Sequence, residues 1–527
     1  MMLDLRLVNA NIVTMDPALP AGREIGVWQG RIVGLDDAVS SLPAKEVVDL
    51  RGATVLPGFI DPHVHLAWAG LQQSGVTVAG RTSVDDVLAV VAEAVAAKAP
   101  GEWAEIQGYD QRVLGRHLTA AELDSVSAGR HVLLVHVSGH AGVVGSSVLV
   151  RLPSNVQHTD GVLGDAGMTA VRGVRDPYPV RELADAIERA GRTCLSEGVT
   201  AAAEAGIGVH GGLISYSGAE AAAFQLLHDE GRLPIRMRLM VAAEALHPLA
   251  TNPSDGIARG LDLGLRTGFG GDRLSLGAIK IFTDGGMGPR TAALTAPYAG
   301  TDHSGDYFTD PEIVRDYVRD AHRAGWQLAI HAIGDRAVDL TLDALAEAQA
   351  RYPRPEARHR IEHSGLVRPD QLPRFAEVGA TAVVQPSFLW YFGDDYAKIV
   401  GPGRVSWLYR GRSFLHHGVP LVASSDRPVT PGAPLRAIQF MVQRLSATGE
   451  RIGPAEAVTI DEALRAYTTA AAHACHWENE LGSLTPGKHA DLVVLADDPR
   501  DVDPNRIAGI GVVATLVAGT VAHGALP

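Results

Sequence analysis

Cysteine is almost absent from this chain. Only Cys194 and Cys475 occur in 527 residues, too few for a disulfide framework and without the paired spacing of a thiolate metal site or redox motif. A reducing compartment is expected. Long apolar runs are missing as well, since no stretch approaches the ~20 uninterrupted apolar residues of a membrane span. The amino-terminal segment Met1-Met2-Leu3-Asp4-Leu5-Arg6, followed by Asn9 and Asn11, has an acid and polar breaks where a signal peptide needs a basic start and an unbroken apolar stretch. A cytoplasmic location is expected. Basic clusters are the third absence. Lys and Arg number 46 against 60 Asp and Glu, for a net charge of -14 and a pI near 5.8. This argues against nucleic acid or an anionic membrane as partner, because such surfaces are met by clustered cations.

What is present is a large apolar fraction, 46% of residues against 20% charged, enough for one big α/β domain plus something smaller. From Leu3 to Leu50 short alternating runs are broken by turn residues, with Gly30 between Gly26-Val27-Trp28 and Arg31-Ile32-Val33; these read as hairpins. After Phe59 the period changes. Ser83 opens an Ala/Val-rich helical run to Lys98, and Thr119-Ala120-Ala121-Glu122 and Thr309-Asp310-Pro311-Glu312 read as capping boxes. Between such helices lie strand-like segments at 132–137, 200–203, 235–241, 276–282, 327–330, 360–362, 381–384 and 421–423. Strand alternating with helix this many times predicts a parallel (β/α)8 TIM-type barrel over residues 59–479. The alternative, a doubly wound open sheet, would want a Gly-rich phosphate loop after an early strand, and none is found. Leu492 to Leu495 and Val512 to Val517 return to β character, so residues 1–58 and 480–527 are expected to pair as a small β-sandwich domain built from both chain ends.

Polar residues then interrupt the apolar strands in a consistent place. In Pro57-Gly58-Phe59-Ile60-Asp61-Pro62-His63-Val64-His65-Leu66, two histidines at i and i+2 of a strand present both imidazoles to one point. Lys280 interrupts Gly277-Ala278-Ile279-Lys280-Ile281-Phe282, and a lysine is almost never fully buried unless paired or neutralised. It is either ion-paired, with Asp284 as a candidate, or converted by CO2 to a carbamate. His331 and His363 end the strands 327–330 and 360–362, and Asp426 follows 421–423. Barrel active sites sit at the carboxyl ends of the strands, and a set of four His, one Lys and one Asp has the N/O composition that suits zinc or its neighbours.

In this order His63, His65, Lys280, His331, His363 and Asp426, with the closing segment from Gly482 to Leu495, resemble the ligand pattern and terminal motif of the amidohydrolase superfamily. Lys280 to Ala292, His331 to Ala337, Ile361-Glu362-His363 and Ser425 to Val429 are similar to the long-chain branch that includes N-substituted formamide deformylases. The resemblance implies a metal-dependent hydrolase of a C–N amide bond, with His63, His65 and Asp426 on a first zinc, His331 and His363 on a second, and carboxylated Lys280 between them. It implies Asp426 as proton carrier and His140, in Ser138-Gly139-His140-Ala141, as a donor to the substrate carbonyl. Asp284 and Arg290 flank the Gly-rich turn after Lys280 and are candidates for shaping the substrate pocket.

A small-molecule amide is the expected partner, with homo-oligomerisation left open. Two rivals remain. One is a cyclic amidase or deaminase on the same scaffold, since fold and metal site do not fix the substrate; the other is a catalytically silent oligomeric scaffold. Residues 143–179 have no assigned role and are read as a lid or pocket wall.

Overall fold

A computed structural model describes residues 1–137, 139, 141–210 and 215–527. They form two units, one of residues 1–64, 191–206 and 228–527, the other of residues 65–190 and 207–227.

The first unit is built around eight strands: β1 (Phe59–Val64), β2 (Val199–Ile207), β3 (Arg236–Ala242), β4 (Leu274–Phe282), β5 (Leu328–Ala332), β6 (Arg360–His363), β7 (Thr381–Val384) and β8 (Leu421–Ala423). They lie side by side in chain order with parallel registers, for example Phe282 opposite His331 and Ala332 opposite His363. Nearly continuous apolar sequence is what a sheet covered on both faces demands, and every residue of β1, β2, β5, β6, β7 and β8 is buried. Helices such as Pro311–Arg323 and Asp335–Arg351 supply the crossovers.

The sheet curls into a nearly closed barrel. Its interior gathers Ile60, Ala203, Met240, Ala278, Ala329, Val383 and Val422 with Cys475 and Trp477. Period 2 then decides what stands above this layer: Lys280 follows Ala278, and His331 follows Ala329, on the same face. Among the described residues no ladder joins β8 to β1. The seam is bridged instead by the Asp426 N–H, which donates to the His63 carbonyl at 2.9 Å, and by the Ser425 N–H, which donates to the Asp61 carboxylate at 3.0 Å.

The chain ends form two more sheets. One holds Leu3–Val8, Ile25–Trp28, Arg31–Leu35 and Ala44–Asp49; the other sets Thr54–Pro57 antiparallel to Leu492–Leu495. Leu5, Leu7, Ile25 and Val27 of the first share a buried cluster with Ile12, Val55, Leu492, Val494 and Leu516 of the second.

In the second unit a five-stranded sheet runs Val162–Leu163, Gly142–Val144, His131–His136, Trp103–Tyr109, Val76–Thr77. This corrects the expectation for 132–137, which is no barrel strand. Only five residues separate it from Gly142, too short a link for the parallel crossover a barrel requires, and the two strands pair antiparallel. The expected capping box at Thr309 is also replaced: Asp310 caps the helix, accepting from the Glu312 N–H at 2.9 Å, because Pro311 takes the first helical position. The box at Thr119 forms. Among the described residues no helix is long and apolar enough to cross a membrane.

Candidate active site

At the carboxyl ends of these strands the sequence-predicted ligands converge. His63, His65, Lys280, His331, His363 and Asp426 are all buried. Ligand atoms of His63, His65 and Asp426 lie within 4.8 Å of one another. Lys280 Nζ is 3.3 Å from His63 Nε2, the His63 and His363 rings are 5.0 Å apart, and those of His331 and His363 are 4.4 Å apart.

Each of three imidazoles is anchored from outside by an acceptor, which fixes its tautomer. His63 Nδ1 meets Glu362 at 2.5 Å. His363 Nδ1 meets Gln385 Oε1 at 2.8 Å, and Gln385 in turn donates to Ser424 at 2.9 Å. His331 Nε2 meets the Gly285 carbonyl at 3.2 Å and Asp284 Oδ1 at 3.3 Å. The outer nitrogen of each ring therefore carries the proton. That leaves Nε2 of His63, Nε2 of His363 and Nδ1 of His331 as lone-pair donors, and the last is buried without a hydrogen-bond partner. A buried orphan nitrogen beside further N and O donors fits a divalent transition metal.

The electrostatics agree. Burial, with Lys280 adding to it, pushes His63 down to about 4 and holds His363 well below its usual range, so both rings are neutral and able to ligate. Burial also brings Lys280 down to about 8. Glu362 would rise through burial, but Arg360 and His63 hold it at about 2, so the anchor of His63 is a carboxylate.

Two backbone features aim side chains at the strand ends. His363 and Asp426 adopt positive φ, 70° and 54°, a conformation that costs of order 1 kcal/mol for non-glycine residues and clusters at functional sites. Asp284 is fully buried and accepts the N–H groups of Ala293, Ile333 and Gly334 at 2.9, 3.0 and 2.8 Å, so it ties the loops after β4 and β5 together beneath His331. Arg290 is half-buried in that loop, and its carbonyl accepts from His303 at 2.9 Å. His140 lies outside the described residues.

Sequence reasoning missed the supporting carboxylates. Arg360 donates to both oxygens of Glu362, at 2.8 and 3.0 Å, and to the Pro62 carbonyl at 2.7 Å. The signal was available: two charges at i and i+2 inside a buried strand must find each other or a third partner. Asp61, two residues before His63, is likewise buried, which raises it to about 6 against the pull of Ser425 and Arg427.

The amidohydrolase family profile matches residues 46–523. The chain is 31% identical, over 98% of its length and 91% of the relative's, to Protein LONG AFTER FAR-RED 3 of Arabidopsis thaliana. It is 29% identical, over 99% of its length and 98% of the relative's, to the N-substituted formamide deformylase of Arthrobacter pascens. An uncharacterized metal-dependent hydrolase from Pyrococcus horikoshii superposes with a TM-score of 0.78 at 27% identity, over 95% of this chain and 99% of that one. A family match spanning most of the chain, on a barrel whose strand ends bring histidines, a lysine and an aspartate together, establishes that this protein belongs to the amidohydrolase family as a metal-dependent hydrolase of carbon–nitrogen bonds other than peptide bonds.

Proposed function

We propose that the protein hydrolyses a linear N-substituted amide or formamide. The observation that carries this is the set of inward lone pairs on His63, His331 and His363, fixed by their outer acceptors and met by Lys280 and Asp426. Similarity to a named formamide deformylase over nearly the whole chain supports the substrate class.

In this reading His63, His65 and Asp426 would hold one zinc, and His331 and His363 a second. Lys280 would serve as a further ligand in the form of a carbamate, made when its unprotonated amine adds to CO2, forming an N–C bond and releasing a proton. Divalent cations held there supply an acidified water and polarise the scissile carbonyl. Asp426 accepts the proton of the attacking water and returns it to the departing nitrogen, which must leave as an amine because an amide anion is a very poor leaving group. His140 donates to the carbonyl oxygen, and Asp284 and Arg290 shape the substrate pocket. The end sheets form a β-sandwich domain of residues 1–58 and 480–527, and the protein acts in the cytoplasm on a small molecule.

Elemental analysis of protein purified with bicarbonate and without chelator, followed by a screen of acyclic amides, tests this. Two metal equivalents and release of acid plus amine support it. One equivalent removes the bridging role of Lys280. Ammonia release from an aminated heterocycle with no action on acyclic amides would move the enzyme to the deaminases.

A further inference from the structure

Tyr409 follows the helix Pro386–Val400 in the first unit and is 2% exposed. Its hydroxyl is shut off from solvent and has no hydrogen-bond partner among the described residues. A buried phenol ordinarily finds one, because the lost bond to water must be replaced. An acceptor that arrives with the substrate would replace it.

The backbone holds this residue beside the reacting groups. Its N–H donates to the carbonyl of Gly365 at 2.9 Å, two residues past His363, and Leu408 bridges to Leu366. From the other side the buried Arg444 donates to the carbonyls of Leu408 and Tyr409 at 3.0 and 2.8 Å. So held, Tyr409 takes a φ of 40°, a left-handed conformation that is uncommon for a bulky residue and clusters at functional sites.

The ring is fixed as firmly as the backbone. Phe388 meets it edge-on at 5.8 Å and Tyr396 stacks on it at 6.4 Å, and Phe388 itself stacks on the His363 imidazole at 6.3 Å. Burial holds the phenol well above its ordinary range, with Tyr396, Asp426 and Asp284 adding to it. The hydroxyl therefore keeps its proton and can only be used as a donor. Asp426 follows β8 and Asp284 follows β4, so a hydroxyl near enough to feel both stands over the strand ends.

We propose that Tyr409 is a further catalytic residue, whose hydroxyl donates a hydrogen bond to the carbonyl oxygen of the amide as that oxygen becomes an oxyanion. When the attacking oxygen bonds to the carbonyl carbon, the π pair moves onto the carbonyl oxygen, which gains a lone pair for a donor besides His140. Tyr409 lends its O–H and gives up no proton. When the C–N bond breaks, the oxyanion pair re-forms the carbonyl, and the C–N pair leaves on nitrogen, which takes the proton held by Asp426. A donor already aimed at the developing charge favours the transition state over the bound substrate. The proposal rests on the amide-hydrolase reading and adds a residue to its chemistry.

Tyr409→Phe tests it, since the ring and its packing stay and only the hydroxyl goes. With N-methylformamide and metal-loaded enzyme, kcat should fall by about 10²–10³, the worth of one oxyanion donor, with KM and metal content unchanged. The melting temperature should not drop, because the lost hydroxyl has no partner in the resting protein. An unchanged kcat overturns the proposal and leaves the amide reading standing; a kcat loss matched by lost metal or a lower melting temperature makes Tyr409 structural and also overturns it. A second readout needs no turnover. Methylphosphonate, whose tetrahedral oxygens imitate the intermediate, should bind the metal-loaded Tyr409→Phe protein at least about tenfold more weakly than the wild type by calorimetry, and equal binding counts against the donor. Weakened methylphosphonate binding in a protein that turns over no amide would keep Tyr409 as an oxyanion donor and sink the amide reading.

Discussion

Glu362 sits between Arg360 and His63, and its charge is what the arrangement requires of it. Replacing it with Gln keeps the shape and removes the anion, so His63 loses its strongest orienting partner. Metal affinity should fall 10- to 100-fold, the usual cost of losing such an outer partner, as measured by competition with a chromophoric chelator; an unaltered affinity would demote Glu362 to a strut. Asp426→Asn should instead keep metal bound and lower kcat by about 10²–10⁴, the worth of a positioned proton carrier, and full activity would remove that role. That these side chains gather at the strand ends was legible because each interrupts or ends an apolar strand. The roles of Glu362 and Asp61 were harder to read, for a physical reason: Glu362 stands directly before His363 and Asp61 two residues before His63, and which of two polar neighbours faces the ligand point depends on twist and bulges. β1 and β2 carry two such register shifts.

Among the helices and strands, the contact between Pro311–Arg323 and the segment before β6 carries a pH dependence. His359 Nδ1 accepts the Leu328 N–H at 3.0 Å, its Nε2 meets His322 Nδ1 at 2.7 Å, and His322 Nε2 meets the Tyr352 carbonyl at 2.6 Å. This chain needs both rings neutral. Burial, helped by His322, holds His359 well below its ordinary value, and burial lowers His322 too. The unfolded chain takes up a proton on each below about pH 6.5 while the folded chain resists. The stability they contribute is therefore complete above that pH and falls as pH drops, by up to about 1.4 kcal/mol per unit per histidine. Urea titrations at pH 7.5 and 5.5 should show a smaller difference for His359→Asn than for the wild type; identical differences would count against it. The close approach of helix Leu66–Ser74 to helix Val180–Ser196 depends on Gly70, where a Cβ would lie 1.8 Å from the Ala186 carbonyl. Gly70→Ala should cost about 1–3 kcal/mol by overpacking, read as a lower urea midpoint, and a neutral result would mean the helices part freely. The barrel strands were readable from their apolar runs, but the segment 132–137 has the same composition. Only the length of the link after it separates a hairpin from a crossover, and apolar pattern does not report topology.

For the molecule as a whole, removing metal should lower stability. A ligand present at a hundredfold excess over its Kd adds about 2.7 kcal/mol, so chelation should reduce the melting temperature measurably, and an unmoved transition would mean that the buried histidines bind nothing tightly. The pairing of Thr54–Pro57 with Leu492–Leu495 was foreshadowed by the similar β character of the two ends. How the ring of strands is completed was not, because it depends on a side chain, Asp61, standing in for a backbone acceptor. Seven of its joints are ladders between neighbouring strands, and the eighth consists of the Asp426 and Ser425 amides reaching across to His63 and Asp61. A hoop yields where it is pinned rather than welded. Breathing of the barrel should therefore part Asp426 from His63 first, and an ion held by both would act as a rivet through that joint, so that exchange of the Ser425 and Asp426 amides should slow on metal loading more than exchange elsewhere in the ring; equal slowing everywhere would count against it. The enzyme's chemistry would then be located at the joint of the ring held by the fewest backbone bonds, and each turnover would begin and end at the hoop's own fastening.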